Sequence, residues 1–321
     1  MREIFRPDGG TALHLGVLIV LFALQFALSD YHHINIARIM VLACFAMGYN
    51  IAFGYTGLLS LGHAMFFGAG LYGAGLAAQF AAVSGPGAFV IGLAAAVALT
   101  VLAGAVALRT AGVSFMIVTL MFAQAAYLTI YYFGEFTRGD EGFVYPDAMR
   151  TLFGLELIEP TVRYTVAFGL FAICLIASFA VARSGLGRIF VAVRENEDRA
   201  RMLGYDVYRM KLLALTISGA MAGAAGAAYG LLFGYVGASF ANIEYSIYPL
   251  LWVLMGGAGV VLGPLLGTLA MFYLVDVTSG FTTAYLLVVG AALIALILFF
   301  PKGVLGTVRE KLGARGARWL P

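Results

Sequence analysis

Two short stretches of this sequence hold side chains that could do chemistry. In "FGYTGLLSLGHAMFFGAG" (residues 53–70), Tyr55, Thr56, Ser60 and His63 stand among glycines at 54, 57, 62, 68 and 70. Hydroxyls and an imidazole in such a setting can hydrogen-bond a small polar solute, and an unwound backbone adds amides and carbonyls that can meet a zwitterion. The plainer reading is that Ser60 and His63 satisfy the broken backbone themselves. In "RENEDRARMLG" (194–204), six of the first eight residues are charged. Neither stretch supplies a nucleophile with its base, and no Cys, His and carboxylate group has metal-ligand spacing. The phosphate-cradling pattern Gly-x-x-x-x-Gly-Lys-Ser/Thr is absent from the sequence.

The elements that must position these residues are set by composition. Of 321 residues, 62% are hydrophobic and 11% charged, against about 25% charged in a soluble domain. Residues 39–108 contain no Asp, Glu, Lys or Arg, and further uncharged runs cover 110–134, 212–243, 245–275 and 277–301. A bilayer crossing needs about 20 predominantly apolar residues, and a charge at its centre costs roughly 2.5–3.5 kcal/mol. The expected fold is therefore an all-α polytopic membrane bundle. Gly, Pro and charge divide it into about ten spans, at 11–29, 34–53, 60–82, 87–108, 113–134, 161–182, 211–233, 245–260, 264–279 and 283–300. The stretches 53–70 and 255–267 ("MGGAGVVLGPLLG") are glycine-interrupted and read as broken or re-entrant. The first block has a charge-neutral flank and an apolar run longer than a leader's, so it is expected to be retained as a helix. Cys44 and Cys174 lie inside apolar blocks and read as buried thiols.

Lysine and arginine set the orientation. Residues 183–211 carry Arg183, Arg188, Arg194, Arg199, Arg201, Arg209 and Lys211; the tail carries Lys302, Arg309, Lys311, Arg315 and Arg318. The connection 135–163 holds six acids against three arginines. Positive-inside logic places the first two in the cytoplasm and the third outside, and ten spans put both termini in the cytoplasm. One transmembrane domain over 1–321 is expected, with a cytoplasmic loop at 183–210, an extracytoplasmic loop at 135–160 and a basic tail at 302–321. Gly219, Gly223, Gly226 and Gly230 step along one helix face, and Gly259, Gly263 and Gly267 step by four, as close helix packing in lipid requires. Glu244 and Asp276 fall towards the outer interface, which leaves Asp276 a weak functional candidate.

Within the charged stretch, Asn196 reads as an N-cap, with Glu197 and Asp198 in the first turn and Gly204 as the residue that stops the helix. Glu197 and Arg201 form an i,i+4 pair, and Glu195 with Arg199 would form another were the helix to start earlier. Ala200, Leu203 and Val207 could form an apolar patch beneath the charges. Two turns are too few for a helix stable by itself in water, where about 12–15 residues are marginal. Either the loop is simply solvated, or it is a docking element whose small face, Ala200 with Gly204, fits a groove on a cytoplasmic partner.

The segment "AVRENEDRARMLGYDVYRMKLLAL" (192–215) resembles the Glu-x-x-Ala-x-x-x-Gly signature of bacterial ABC importer permeases, here Glu197, Ala200 and Gly204. Its continuation through Tyr208, Arg209 and Lys211 resembles the LivM type of branched-chain amino acid permease. "GYTGLLSLGHAMFFGAGLYGAGL" (54–76), "GGAGVVLGPLLGT" (256–268) and "FFPKGVLG" (299–306) are similar to other segments of that family, so the resemblance spans roughly 35–310. It implies that Glu197, Ala200, Leu203 and Gly204 belong to a coupling helix moved by a separate ATP-hydrolysing subunit. No cofactor is then expected in this chain, and ATP and Mg reside on that partner. It also implies a second homologous permease subunit, an extracytoplasmic solute-binding protein and surrounding lipid, with no nucleic acid and no enzyme activity in this chain. Tyr55, Thr56, Ser60 and His63 become pathway candidates. "FTRGDEGF" (136–143) falls where the family is usually glycine-rich. Arg138, Asp140 and Glu141 make it unusually charged, either as a solvated loop, as a docking surface for the binding protein, or as an entrance tuned to another solute. Branched-chain amino acids are the first expectation for the solute; urea, short amides and small organic acids stay open. A self-contained ion-coupled transporter or channel is the alternative, and it would call for paired buried ionisable residues that the long uncharged blocks lack.

Overall fold

An apolar run in lipid has no water to satisfy its backbone, so it closes its hydrogen bonds internally as helix. The computed structural model describes residues 8–152, 154–313 and 319–320, without the side chains of Tyr285 and Ile297. Arg2, Glu3 and Arg6, and Arg315 and Arg318 of the basic tail, lie outside the described residues. The helices run in order α1 (Gly9–Leu24), α2 (Asp30–Asn50), α3 (His63–Ala81), α4 (Gly85–Ala107), α5 (Val113–Tyr132) and the one-turn α6 (Gly134–Thr137). They continue as α7 (Pro160–Arg183), α8 (Gly185–Glu195), α9 (Glu197–Met202), α10 (Val207–Phe233), α11 (Ile243–Gly256), α12 (Gly263–Phe281), α13 (Tyr285–Phe299) and α14 (Gly303–Lys311). A π turn, Ile51–Tyr55, extends α2. Among the described residues, seven helices are long and apolar enough to cross a bilayer: α2 with its extension, α3, α4, α5, α7, α10 and α12. The shorter α1, α11 and α13 hold 16, 14 and 15 residues, and α11 at about 1.5 Å per residue falls short of a core about 30 Å thick.

Contacts at the helix ends show that successive long segments alternate in direction. Asp8, which caps α1, meets Arg183 at the end of α7, whereas Tyr164 near the start of α7 donates to the Leu21 carbonyl at 2.6 Å. Tyr208 at the start of α10 donates to Ala105 at the end of α4 at 2.9 Å. Trp319 packs over Gly9, so both described ends of the chain lie at one pole. That pole carries Arg183, Arg188, Arg194, Lys302 and Arg309. The opposite pole holds residues 133–159, where the two-residue strands Phe143–Val144 and Tyr235–Val236 pair antiparallel. There Arg150 caps the last turn of α10 by donating from Nε to Leu231 (3.0 Å) and from Nη2 to Leu232 (2.8 Å).

The centre of the bundle is α2 and α10 wrapped by α3, α4 and α7. Nearly every residue of α2 from Asn35 to Asn50 is buried. The glycine face of α10 behaves as its spacing predicts. A Cβ added at Gly219 would collide with the Thr100 side chain, at Gly223 with the Ala96 methyl, and at Gly226 with the Phe67 carbonyl, so neighbouring helices close directly on the α10 backbone along this seam. The second glycine series is different: Gly259 stands in the loop before α12 at φ +74°, so no single helical face carries it with Gly263 and Gly267. Gly256, Gly263 and Gly267 instead let α11 and α12 close on each other as a hairpin.

Candidate functional site

The charged loop is an amphipathic helix followed by a very short one. Ser184 caps α8 by accepting from Gly187 N at 3.3 Å, and Asn196 caps α9 by accepting from Arg199 N at 2.8 Å. Gly204 at φ +88° terminates α9, and Asp206 caps α10 by accepting from Arg209 N at 3.0 Å. Because α8 ends at Glu195 and α9 starts at Glu197, the Glu195–Arg199 pairing does not arise; Glu197 meets Arg201 at 3.6 Å and also Lys211, while Arg201 meets Asp198 at 2.9 Å. The packing differs from the expected patch. Ala200, 1% exposed, turns inward against Val193 and Val207, with Ile189 and Met210 beside them. Leu203 is 68% exposed and Met202 87% exposed, and a Cβ at Gly204 would touch nothing. Six residues have too few turns to reveal a period. The chain spends its one small residue on holding α9 down, and its outward face is Met202, Leu203, Gly204 and Tyr205.

The first break lies at the end of α2, at the same pole. Beyond the π turn, Thr56 Oγ1 donates to Ile51 O at 3.0 Å, Gly57 takes φ +76°, and the chain re-enters helix only at His63. Residues 63–70, expected to share the break, are regular helix. Side chains from other helices hold the turn. Tyr49 OH donates to Ser60 O at 3.0 Å, Leu61 N to Thr119 Oγ1 at 3.2 Å, and Ala64 N to Ser246 Oγ at 2.9 Å. His63 Nε2 lies 2.7 Å from Ser218 Oγ, and Ser60 Oγ accepts from Gly62 N at 3.2 Å. The four candidates therefore divide. Ser60 and His63 are wholly buried and bonded into the fold. Thr56 lines a cavity of 340 Å³ with Arg194, Glu197 and Lys211. Tyr55 lines another of 500 Å³ with Arg188, Arg194, Glu195 and Arg309.

The second break, 257–262, is tied to the first by residues the sequence reading passed over. Asn50 donates from Nδ2 to Val260 O at 3.0 Å and accepts from Gly259 N at 2.9 Å. Arg194, the first residue of the charged stretch, donates to Gly54 O in the π turn, and Arg309 donates to Gly259 O at 3.3 Å. Thus the loop that carries α9 and the two interrupted spans share one hydrogen-bonded junction. Asn50 was discoverable as the one amide immediately before a glycine-rich break; its partner, 210 residues away, was not.

A membrane bundle with two interrupted spans joined to an exposed charged helix has the parts transport needs, and comparison with known sequences gives the family. Residues 34–298 match the family described as branched-chain amino acid transport system, permease component. The chain belongs to this family. It is a transport permease subunit of the ABC-type class, not a catalytic enzyme, and a multi-pass protein of the inner membrane. It is 28% identical to the high-affinity branched-chain amino acid transport system permease protein LivM of Escherichia coli, over 95% of this chain and 78% of that one. Identity to LivM of Salmonella typhimurium is 27% with the same coverage. The autoinducer 2 import system permease protein LsrC of Klebsiella pneumoniae is 31% identical over 34% of this chain and 32% of its own. No solved structure matches.

On the permease's opposite pole, Arg138, Asp140 and Glu141 are all exposed, and none makes an ion pair among the described residues. Arg138 ends α6 at φ +59°, a left-handed position that turns the loop outward. Asp276, towards the outer end of α12, accepts from Tyr31 OH at 2.7 and 2.6 Å, which gives it a structural partner. Cys44 and Cys174 are buried free thiols.

Proposed function

We propose that this permease carries branched-chain amino acids inward across the membrane, driven by ATP bound with Mg on separate subunits. The substrate reading rests on the LivM relatives, whose likeness covers nearly the whole chain. The coupling reading rests on one observation: α9 offers Met202, Leu203, Gly204 and Tyr205 to solvent, while Arg194, just before it, is bonded to the interrupted end of α2. An ATPase subunit gripping that face would pull on Gly54 and, through Asn50, on the 257–262 loop. Residues 183–210 then act as the cytoplasmic coupling loop, with 302–321 as a cytoplasmic basic tail. The extracytoplasmic loop 135–160, with Arg138, Asp140 and Glu141, receives a solute-binding protein. A second, homologous permease subunit completes the pathway, and Tyr55 and Thr56 lie at its cytoplasmic end.

The test is Gly204→Arg in the reconstituted complex, reading substrate-dependent ATPase activity. A Cβ at Gly204 meets no neighbour in this chain. The strain of a side chain at φ +88°, about 1–3 kcal/mol, is confined to the exposed end of α9 and is shared by Gly204→Ala as the control. Insertion is therefore expected to persist in both variants, while stimulation is lost in the arginine variant. Unchanged stimulation refutes the coupling role.

A further inference from the structure

Between Asp30 and Arg109, Arg38 is the single residue charged at neutral pH. It sits eight residues into α2, about 12 Å along the helix from its outer end. An unpaired arginine in an apolar span costs roughly 2.5–3.5 kcal/mol, and such residues mark solute paths more often than packing. Among the described residues Arg38 has no carboxylate within ion-pair distance, and its Nε is buried without a hydrogen-bond partner. One turn back on the same face, Asn35 is 7% exposed and its Nδ2 is likewise buried and unpartnered. Arg38 Nε thus has no acceptor, and the nearest one to Asn35 Nδ2 is the Tyr31 hydroxyl one turn back, which is itself committed to Asp276.

Two further arginines and three acids stand around Arg38: Asp147 pairs with Arg150, Asp30 and Arg163 both act on His33, and Asp276 accepts from Tyr31. Arg38 lies 5.1 Å from the centre of the Phe233 ring, and Arg163 lies 6.0 Å from the same ring. Arg163 donates to the carbonyls of Ile158 (2.8 Å) and Leu157 (3.4 Å), and Arg150, besides capping α10, pairs with the exposed Asp147 at 3.3 Å. Beside Phe233 runs an aromatic wall: Tyr229 at 4.8 Å between ring centres, Phe240 at 5.0 Å from Tyr229, and Tyr245 at 5.1 Å from Phe240. An arginine without an ion-pair partner, beside an aromatic surface, suits a small anion with an apolar body.

We propose that Arg38 and Asn35 form the receptor for the carboxylate of the transported solute, near the outer end of α2, with the Phe233–Tyr229 wall taking its apolar side chain. The solute is an apolar amino acid on the functional reading above, and this assignment rests on it. Both atoms are covered in this conformation, so the receptor opens as the helices move. A carboxylate admitted there would accept from Arg38 Nε and Asn35 Nδ2 together, a charge-assisted pairing with geometric selectivity.

Two measurements test it. In proteoliposomes holding the full complex and its binding protein, Arg38→Gln is expected to cut leucine uptake by about tenfold or more, the loss one charge-assisted hydrogen bond carries. Binding-protein-stimulated ATPase activity should persist. Asn35→Asp places an internal carboxylate beside Arg38, so it should raise the melting temperature of the permease while lowering uptake. Uptake by Arg38→Gln equal to that of the unsubstituted chain overturns the proposal, as does Asn35→Asp that stabilises without impairing uptake. The second measurement needs no transport: isovalerate, but not its amide, should raise the melting temperature of the purified permease and leave that of Arg38→Gln unmoved. If isovalerate acts so while leucine is not carried, the substrate reading fails and the receptor stands. If isovalerate shifts neither protein, the receptor fails.

Discussion

Replacing Asn50 by Ala removes the clamp between the two interrupted spans. Asn50 is buried, and the change deletes its bonds to Val260 O (3.0 Å) and from Gly259 N (2.9 Å). Hydrogen bonds inside membrane proteins average about 0.6 kcal/mol and reach about 1.7, because partners find substitutes. Here substitutes are scarce. Gly259 and Val260 lie in a non-helical turn, where no neighbouring helical turn offers a replacement, and an orphaned buried group costs about 1–3 kcal/mol. Two such losses near the upper membrane value give about 2–3 kcal/mol. The assay is detergent-titrated unfolding followed by tryptophan fluorescence; the chain has two tryptophans, and Trp252 lies on α11, the helix that leads into the clamped turn. A destabilisation below about 0.5 kcal/mol, within the range of ordinary surface substitutions, would refute the claim that this amide holds the junction. The same variant should also weaken ATPase stimulation, since the pull from α9 would then reach the 257–262 turn only through the packing of Gly54 and Arg194 on Gly259.

Gly226→Ala should lower the yield of folded protein and cost about 1–3 kcal/mol, because its methyl meets the Phe67 carbonyl, backbone that cannot rotate away. Gly290→Ala, with open space around it, should be neutral or slightly stabilising in the same unfolding assay. Asp8 gives a pH prediction: the Arg183 guanidinium, aided by the Thr11 amide, lowers its carboxyl from 3.8 to about 2. A depressed native value means the contribution is full above the unfolded value and fades as pH falls from about 4 towards 2. The melting-temperature gap between the unsubstituted chain and Asp8→Asn should therefore narrow on acidification from pH 5, and a gap constant to pH 3 contradicts the pairing.

What could be read from the sequence was whatever is decided locally. Apolar length located the seven described helices long enough to cross a bilayer, while three of the ten expected spans came out shorter, as α1, α11 and α13. Asn196 and Gly204 gave the ends of α9, because a cap needs only its own few neighbours. The direction in which α9 faces was not readable: Ala200 points inward because Val193 and Val207, from α8 and α10, close over it. The break within 255–267 was readable from its glycines. That Gly259 falls inside it, in a turn fixed by Asn50 and Arg309, and not on the helix face with Gly263 and Gly267, was not. Tyr55, Thr56, Ser60 and His63 formed one group in sequence. All four are buried, but the structure separates them: Tyr49 and Ser218 bond Ser60 and His63 Nε2, whereas Tyr55 and Thr56 line cavities at the cytoplasmic pole. Arg38 passed unnoticed because it precedes the long uncharged run by one residue, and only three-dimensional packing shows that it lacks an acidic partner.

The central claim is that force enters this permease through α9 from ATP hydrolysed on another chain. The most direct measurement is uptake of radiolabelled leucine into proteoliposomes, with and without partner subunits and with and without ATP. Uptake should require both, and should vanish with Gly204→Arg. Accumulation by this chain alone, without nucleotide, would contradict it.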